Sequence, residues 1–276
     1  CPVEHGSAAP SSGSQTPAKA DGCPVKHDGE SGLSLRPYLN PRAYNVYGQR
    51  IDPTNQMPAN PNNQPAPGQA APLSTDRVTS NIPKGGSEGT WTYPSPQMFW
   101  NAMVRKGKGE GATEGDMDVV VAIHNNMNEN TWRRILQWET LDCGEGGASG
   151  DDGRAPRLLR FLGRPHDLSP KAWLKTRLLG CPDPFDRHDW VVDRGGDEIR
   201  YVIDYYHDES LAPLDETPTS LADTERVRSI ALDVRPALDS PAAAYRRFVA
   251  MPLARALGRS DFAPLPLLRP SPASAA

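Results

Sequence analysis

Apolar positions recur with a regular period only in the middle of the chain. Over residues 116–139, DMDVVVAIHNNMNENTWRRILQWE places Met117, Val120, Val121, His124, Asn128, Thr131, Ile135 and Trp138 on one face at about 100° per residue. This predicts a long helix with His124 central on its buried side. A shorter helix is predicted before it, capped by Ser95, begun by Pro96 and stopped by Gly107, with Phe99, Trp100, Met103 and Val104 as its stripe. RLLRFLGR (157–164) reads as a strand, and SPKAWLKTRLLG as a helix capped by Ser169, started by Pro170 and ended by Gly180. In DWVVDRGGDEIRYVIDYYH, two runs rich in β-branched and aromatic residues flank Gly195-Gly196, which predicts a hairpin. Ile199, Tyr201, Ile203 and Tyr205 share one face of its second strand. RSIALDVRP repeats the alternation with Ile230, Leu232 and Val234. DSPAAAYRRFVAMPLARAL closes the pattern as a helix capped at Asp239 or Ser240.

Helices and antiparallel strands are therefore segregated, and the expected class is α+β: an antiparallel sheet with several packed helices. No Gly-rich phosphate loop follows a strand and no nucleophile elbow appears, which removes the commonest nucleotide-binding and hydrolase designs.

Composition adds a division of the chain. Fifteen of the 29 prolines fall in residues 1–96, among Gly, Ser, Asn, Gln and Ala. Too little apolar surface is available there to offset the entropy of ordering, so a long disordered, Pro-rich N-terminal region is expected. The segment 51–84 is expected to be extended, able to run over a folded surface but not to fold alone. The division expected is 1–85 disordered or extended, 86–256 folded, and 257–276 a Pro/Ala-rich tail. The net charge of −4 comes from interspersed signs with no basic block, which argues against a nucleic-acid partner. No apolar run approaches the ~18–20 residues of a membrane span, and the start of the chain has neither a signal core nor an Arg-rich transit helix. A soluble or at most membrane-peripheral protein is expected.

The candidate chemistry centres on a few residues. His124 reads either as a satisfied core histidine or as a ligand. Asn125, Asn126 and Asn128 beside it favour the ligand, because buried amides need partners where leucine would need none. In CPDPFDRHDWVV, Asp186, Arg187, His188 and Asp189 enter a strand from a Pro-rich turn. They form either a surface ion-pair network or a site in which carboxylates orient His188. His166 and His207 lie at element edges and read as solvated. Cys143 and Cys181 have no base nearby in sequence, and the four cysteines are too scattered for a structural zinc site. CPVEH and CPVKH repeat at 1–5 and 23–27, so Cys1-Pro2 and Cys23-Pro24 are either transient thiolate ligands for haem iron or low-complexity sequence. Trp91, Tyr93, Trp100, Trp132, Trp138, Trp173 and Trp190 are core residues or, gathered round one pocket, walls for a flat apolar cofactor. The chain has no C-x-x-C-H for covalent haem of its own.

YPSPQMFWNAMVRKG, IHNNMNENTWRRILQWE, PFDRHDWVVDRGGDEIRYVIDYYH and LDVRPALDS together resemble the holocytochrome c synthase (cytochrome c haem lyase) family. The likeness runs through residues 50–248 in the same order and extends to the Cys-Pro-Val repeats. It implies a mitochondrial intermembrane-space protein, peripheral on the inner membrane, that joins haem b to apocytochrome c through two thioether bonds. His124 matches the family's axial haem ligand, and Cys1-Pro2 and Cys23-Pro24 match its haem-regulatory-type motifs. Asn128 and Trp132 on the same helix are expected to border the haem. Arg187, His188 and Asp189 are expected to orient its propionates or the polypeptide. Lys108 stands where relatives carry a tryptophan. A non-enzymatic haem carrier or sensor using the Cys-Pro motifs is the alternative.

Overall fold

The structure, a computed structural model, describes residues 51–258 except 53, 56, 59–60, 62, 108–110, 144–154, 213–216 and 224–225. Cys1, Pro2, Cys23, Pro24, Lys108 and the tail from 259 lie outside the described residues, as does the side chain of Cys143.

The elements form where local chemistry directs. Helix α1, Pro96–Arg105, starts with the Ser95 hydroxyl accepting from the Met98 N–H and with Pro96 in its first turn. A 3₁₀ turn, Glu114–Asp116, boxed by Thr113 and Asp116, leads into α2, Met117–Cys143. This helix is four residues longer at its end than the periodicity predicted. Helix α3, Pro170–Leu179, has the Ser169 cap and stops at Gly180, whose φ of 64° a side chain would resist. The closing helix comprises α4 (Pro241–Tyr245), a π-helical turn (Arg246–Ala250) and α5 (Met251–Ala256), with Ser240 rather than Asp239 as its cap.

Among the described residues there are two sheets, both antiparallel. The first pairs β1, Thr79–Pro83, with β2, Thr90–Thr92. The second runs in the order β3 (Arg157–Gly163), β4 (Asp186–Asp193), β5 (Glu198–His207), β6 (Ile230–Pro236). The hairpin between β4 and β5 turns at Gly195-Gly196, where the Asp193 carboxylate accepts from both glycine N–H groups. The α+β class is as the pattern predicted.

The small sheet begins ahead of residue 86, with β1 in the segment expected to be extended. Neither short strand has apolar density enough to announce itself. They form because α2 and β3 receive them. The Glu129 carboxylate accepts from Ser80 Oγ and the Asn81 N–H, and the Leu158 carbonyl accepts from the Gly85 N–H and Trp91 Nε1. Gly85 is needed there: a Cβ would sit 2.9 Å from Leu159 Cα. The segment before β1 is held at points along α1 and β3, through Asn101 Nδ2 to Gln64 O and the Phe161 N–H to Thr54 O.

The four-stranded sheet has two unlike faces. One carries Trp190, Val192, Tyr201, Ile203, Tyr205, Leu232 and Val234, all buried, against Met127, Trp132, Ile135 and Trp138 of α2. Trp138 Nε1 donates to the Val234 carbonyl at 2.8 Å, which fixes the helix on the sheet. The other face, under α3, is ionic. Arg235 pairs with Asp204 at 2.6 Å, Lys171 with Asp233 at 2.7 Å, and Arg187 with Asp189 at 2.9 Å. Helix α2 is enclosed on more sides than one stripe can serve, so Asn125, Asn126, Glu129, Asn130 and Glu139 are buried as well. Trp173, expected among core aromatics, stands 52% exposed on α3.

Candidate functional site

His124 sits in the second turn of α2, where α1 and the strand-to-helix segment after β2 cover it. The Phe99 ring meets its imidazole edge to face at 5.1 Å between centroids, and the Tyr93 ring does so at 6.4 Å. The Asn125 amide oxygen is 3.3 Å from Nδ1. Asn128 donates to the His124 carbonyl at 2.9 Å, and its nitrogen lies 3.4 Å from both ring nitrogens. Asn125 is therefore the partner able to hold the Nδ1 proton, which leaves Nε2 as the lone-pair nitrogen. Burial lowers the pKa of His124 to about 4; the Asn125 bond and Asp186 oppose this, and His188 and Lys106 add to it. The imidazole is thus neutral at pH 7, the form that ligates a metal.

His188 faces this wall from β4. Its Nε2 lies 3.2 Å from Asp186 Oδ2, its ring meets Tyr205 edge to face at 5.1 Å, and its Nδ1 is buried with no protein partner. The two walls are tied below the imidazoles, where Thr131 Oγ1 and the Tyr205 hydroxyl lie 3.2 Å apart. Burial raises the Tyr205 pKa well above the ordinary tyrosine value, so it remains a neutral phenol. One half-buried imidazole, a second with an open nitrogen, and the rings of Phe99, Tyr93 and Tyr205 against them make a site suited to a flat, largely apolar ligand carrying one metal. Among the described residues, no group of three or more His, Cys, Asp or Glu side chains could hold a metal ion. A metal already bound within its own ring, needing only one or two protein ligands, fits this donor set.

Sequence order grouped Arg187, His188 and Asp189, but the strand separates them. Successive residues point to opposite faces, so His188 joins Asp186 on the α2 side while Arg187 and Asp189 fall on the α3 side. There Arg187 forks onto Asp189 through Nε and Nη2 and donates from Nη1 to the Asp167 carbonyl. Asp189 also receives Arg164 and Arg200. The guanidinium expected to meet a propionate is already held by a carboxylate.

The other expected residues divide similarly. Asn128 is beside His124, whereas Trp132 is buried in the core with Ile135 and Trp138. Asn126 is a clamp rather than a site residue: its amide donates to the Asp223 carbonyl at 2.9 Å. Sequence reasoning did not assign Phe99, Tyr205 or Glu129 to the site. Phe99 was visible in the stripe of α1, and Tyr205 needed the β4–β5 register. Glu129, five residues after His124, is buried and accepts from the Tyr93 hydroxyl at 2.9 Å, so it positions the ring that contacts His124.

A family model described as cytochrome c/c1 heme lyase matches residues 1–251. The holocytochrome c-type synthase of Bos taurus is 43% identical over 202 residues, covering 72% of this chain and 66% of its own length. That of Homo sapiens is also 43% identical over 202 residues, with 68% of its length covered. The holocytochrome-c synthase of Saccharomyces cerevisiae is 39% identical over 240 residues, covering 79% of this chain and 81% of the yeast protein. This chain thus spans about two thirds of the length of the animal relatives it matches. No solved structure matches it.

Proposed function

Since the chain belongs to the cytochrome c/c1 heme lyase family, we propose that it is a holocytochrome c synthase that joins haem b to apocytochrome c, with His124 as an axial ligand of the haem iron. The observation that carries this reading is the state of His124: a neutral imidazole, walled by Phe99 and Tyr93, with Asn125 placed to hold its Nδ1 proton.

His124 Nε2 binds the iron of the haem substrate on one side, and the aromatic rings exclude water from the macrocycle. The Cys-x-x-Cys-His segment of the polypeptide supplies its own histidine on the other side. That places its two thiols against the two vinyl groups, and most of the acceleration comes from this alignment. Each thiol adds across a vinyl double bond. The sulfur takes one carbon and the hydrogen the other, so no electrons are gained or lost. The iron is ferrous, which avoids thiol oxidation. The attacking sulfurs belong to the substrate, and this chain needs no nucleophile of its own. His188, oriented by Asp186, borders the opposite wall, where it positions haem or the incoming segment. Arg187, held by Asp189, has no part in this scheme.

We place the protein in the mitochondrial intermembrane space, peripheral on the inner membrane. Among the described residues no helix is long and apolar enough to cross a membrane. The test is co-expression with apocytochrome c in a host lacking its own maturation system, followed by haem staining of a denaturing gel. Wild type should give covalent haem on cytochrome, and His124→Ala about 100-fold less or none. Equal staining would remove His124 from the reaction. No staining by well-folded, haem-supplied wild type would overturn the synthase reading.

A further inference from the structure

Helix α1 covers His124 but is fastened lightly. The buried cluster that joins α2 to the sheets contains none of its side chains. Met98 and Trp100 are buried beneath it, and Phe99 lies against the His124 ring. Trp100 Nε1 is nevertheless buried with no hydrogen-bond partner, which penalises this position of the helix. Just before α1, Tyr93 is fixed by its N–H on the Val78 carbonyl and its hydroxyl on Glu129. At the other end stands Gly107, with a φ of 65° and nothing within 4 Å of where a Cβ would lie. The chain can pivot there without collision.

A strap holds the helix down. None of residues 63–78 is buried, so hydrogen bonds rather than apolar packing anchor this segment. The side-chain amides of Gln69 and Gln97 exchange two bonds, at 3.0 and 2.8 Å. The Gln97 N–H donates to the Ser74 carbonyl at 3.0 Å, and Asn101 Nδ2 donates to the Gln64 carbonyl at 2.9 Å. The Ala70 N–H donates to the Glu114 carboxylate at 2.9 Å, which ties the strap to the turn ahead of α2. Gln97 is only 2% exposed, so its amide depends on Gln69 and Asn101 for partners. An element held by a few polar bonds opens at lower cost than one sewn into the core. A macrocycle is far wider than the imidazole that binds it, and its entry beside a ring already faced by Phe99 calls for α1 to move aside. We propose that α1 is a lid over His124, pivoting at Gly107 and latched to the strap through the Gln69–Gln97 pair. It lifts to admit haem and to release the product, and it closes over bound haem in between. The lid rests on the assignment of His124 as the iron ligand and deepens it by naming how that ligand is reached.

The test compares the full chain with Gln69→Ala, using haemin as the probe. Gln69 is half-buried and lies outside the core cluster, so the fold should survive its loss. Hydrogen exchange without haemin should find the α1 amides opening ~10-fold more often in the variant. Exchange of the α2 amides and the melting temperature should stay as in wild type. A lid that closes over bound haem also predicts that haemin association and dissociation quicken together, each by ~10-fold, at unchanged affinity. Dissociation is read by capture with an excess of a haem-scavenging protein. A merely structural loosening would raise dissociation alone. Gln97→Met, which removes the latch from the helix side, should behave like Gln69→Ala. Unchanged α1 exchange in both folded variants, or faster dissociation without faster association, would overturn the lid. Wild type that binds no haemin would instead overturn the His124 assignment, and the exchange measurement would still decide whether α1 opens.

Discussion

The two faces of the four-stranded sheet are built from different materials and do different work. The face under α3 carries five buried charged residues, Arg187, Asp189, Asp204, Asp233 and Arg235, joined by Lys171 and Lys175 from the helix. The face under α2 carries aromatic and aliphatic side chains and, at one end, two imidazoles. On the ionic face the charged groups are paired with one another, although the Tyr206 hydroxyl and Asp204 Oδ1 are buried without a hydrogen-bond partner. On the aromatic face His188 keeps a buried nitrogen without a protein partner, and the pKa of His124 is lowered to about 4. An enzyme needs groups held in place but not yet satisfied. The α2 face has them, whereas the ionic face locks the sheet that supports them.

The largest effect should follow from breaking the ionic face. Arg235 lies between Asp204 and Asp233, at 2.6 and 3.3 Å, and all three are buried. Arg235→Leu would leave two carboxylates facing each other without their shared cation, which costs about 3–5 kcal/mol for a buried pair. Thermal unfolding should shift down by roughly 10 °C. Protein that remains folded should still give the wild-type Soret band per molecule, because Arg235 points away from His124. A changed Soret band at full folding would mean that the two faces are not separate in function.

Tyr205 tests the opposite face. Tyr205→Phe removes the hydroxyl that meets Thr131 and leaves the ring against His188. Stability should fall by only about 1 kcal/mol. Covalent haem attachment should fall more than that loss explains, by about 10-fold, since the phenol ties the two walls together. A variant that loses stability but keeps wild-type attachment would move the β5 wall out of the reaction.

Which parts of this were legible follows from how local each cause is. Ser95, Ser169 and Ser240 cap helices through contacts within three residues, and Pro96, Pro170 and Pro241 start them, so a linear reading finds them. The β4–β5 hairpin announces itself through Gly195-Gly196 and alternation. The small sheet does not, because Thr79–Pro83 and Thr90–Thr92 depend on Glu129 and Leu158, partners 48 and 67 residues away through the Asn81 and Trp91 hydrogen bonds. The polar company of His124 on an apolar face was readable, and Asn125 and Asn128 do stand against its ring. The approach of His124 to His188 was not, since that depends on which strand of the sheet α2 crosses. Arg187 and Asp189 show a different failure. Alternation alone puts them across the strand from His188, and adjacency in sequence obscured it.

The smallest effect, and the finest separation of the two faces, lies in the pH dependence of stability without haem. Asp233 is buried, which opposes its ionisation, but Arg235, Lys171 and Lys175 outweigh burial and hold its pKa below the ordinary carboxylate value. Its folded pKa is lower than its unfolded one, so its stabilisation is present above about pH 4 and is lost as the pH falls below that. The pKa of His124 is also lowered on folding, but from 6.5 to about 4, so the unfolded chain takes up its proton first. Its stabilisation is complete only well above pH 6.5 and declines as pH falls toward 4, by about 0.7 kcal/mol between pH 7 and pH 6. Urea titrations at those two pH values should resolve that slope in wild type and find it reduced in His124→Asn. The loss below pH 4 should persist in that variant, because it comes from the face on the far side of the sheet. If His124→Asn kept the whole slope between pH 7 and 6, the imidazole would not be buried as a neutral ligand, and the asymmetry between the two faces would have to rest on the aromatic walls alone.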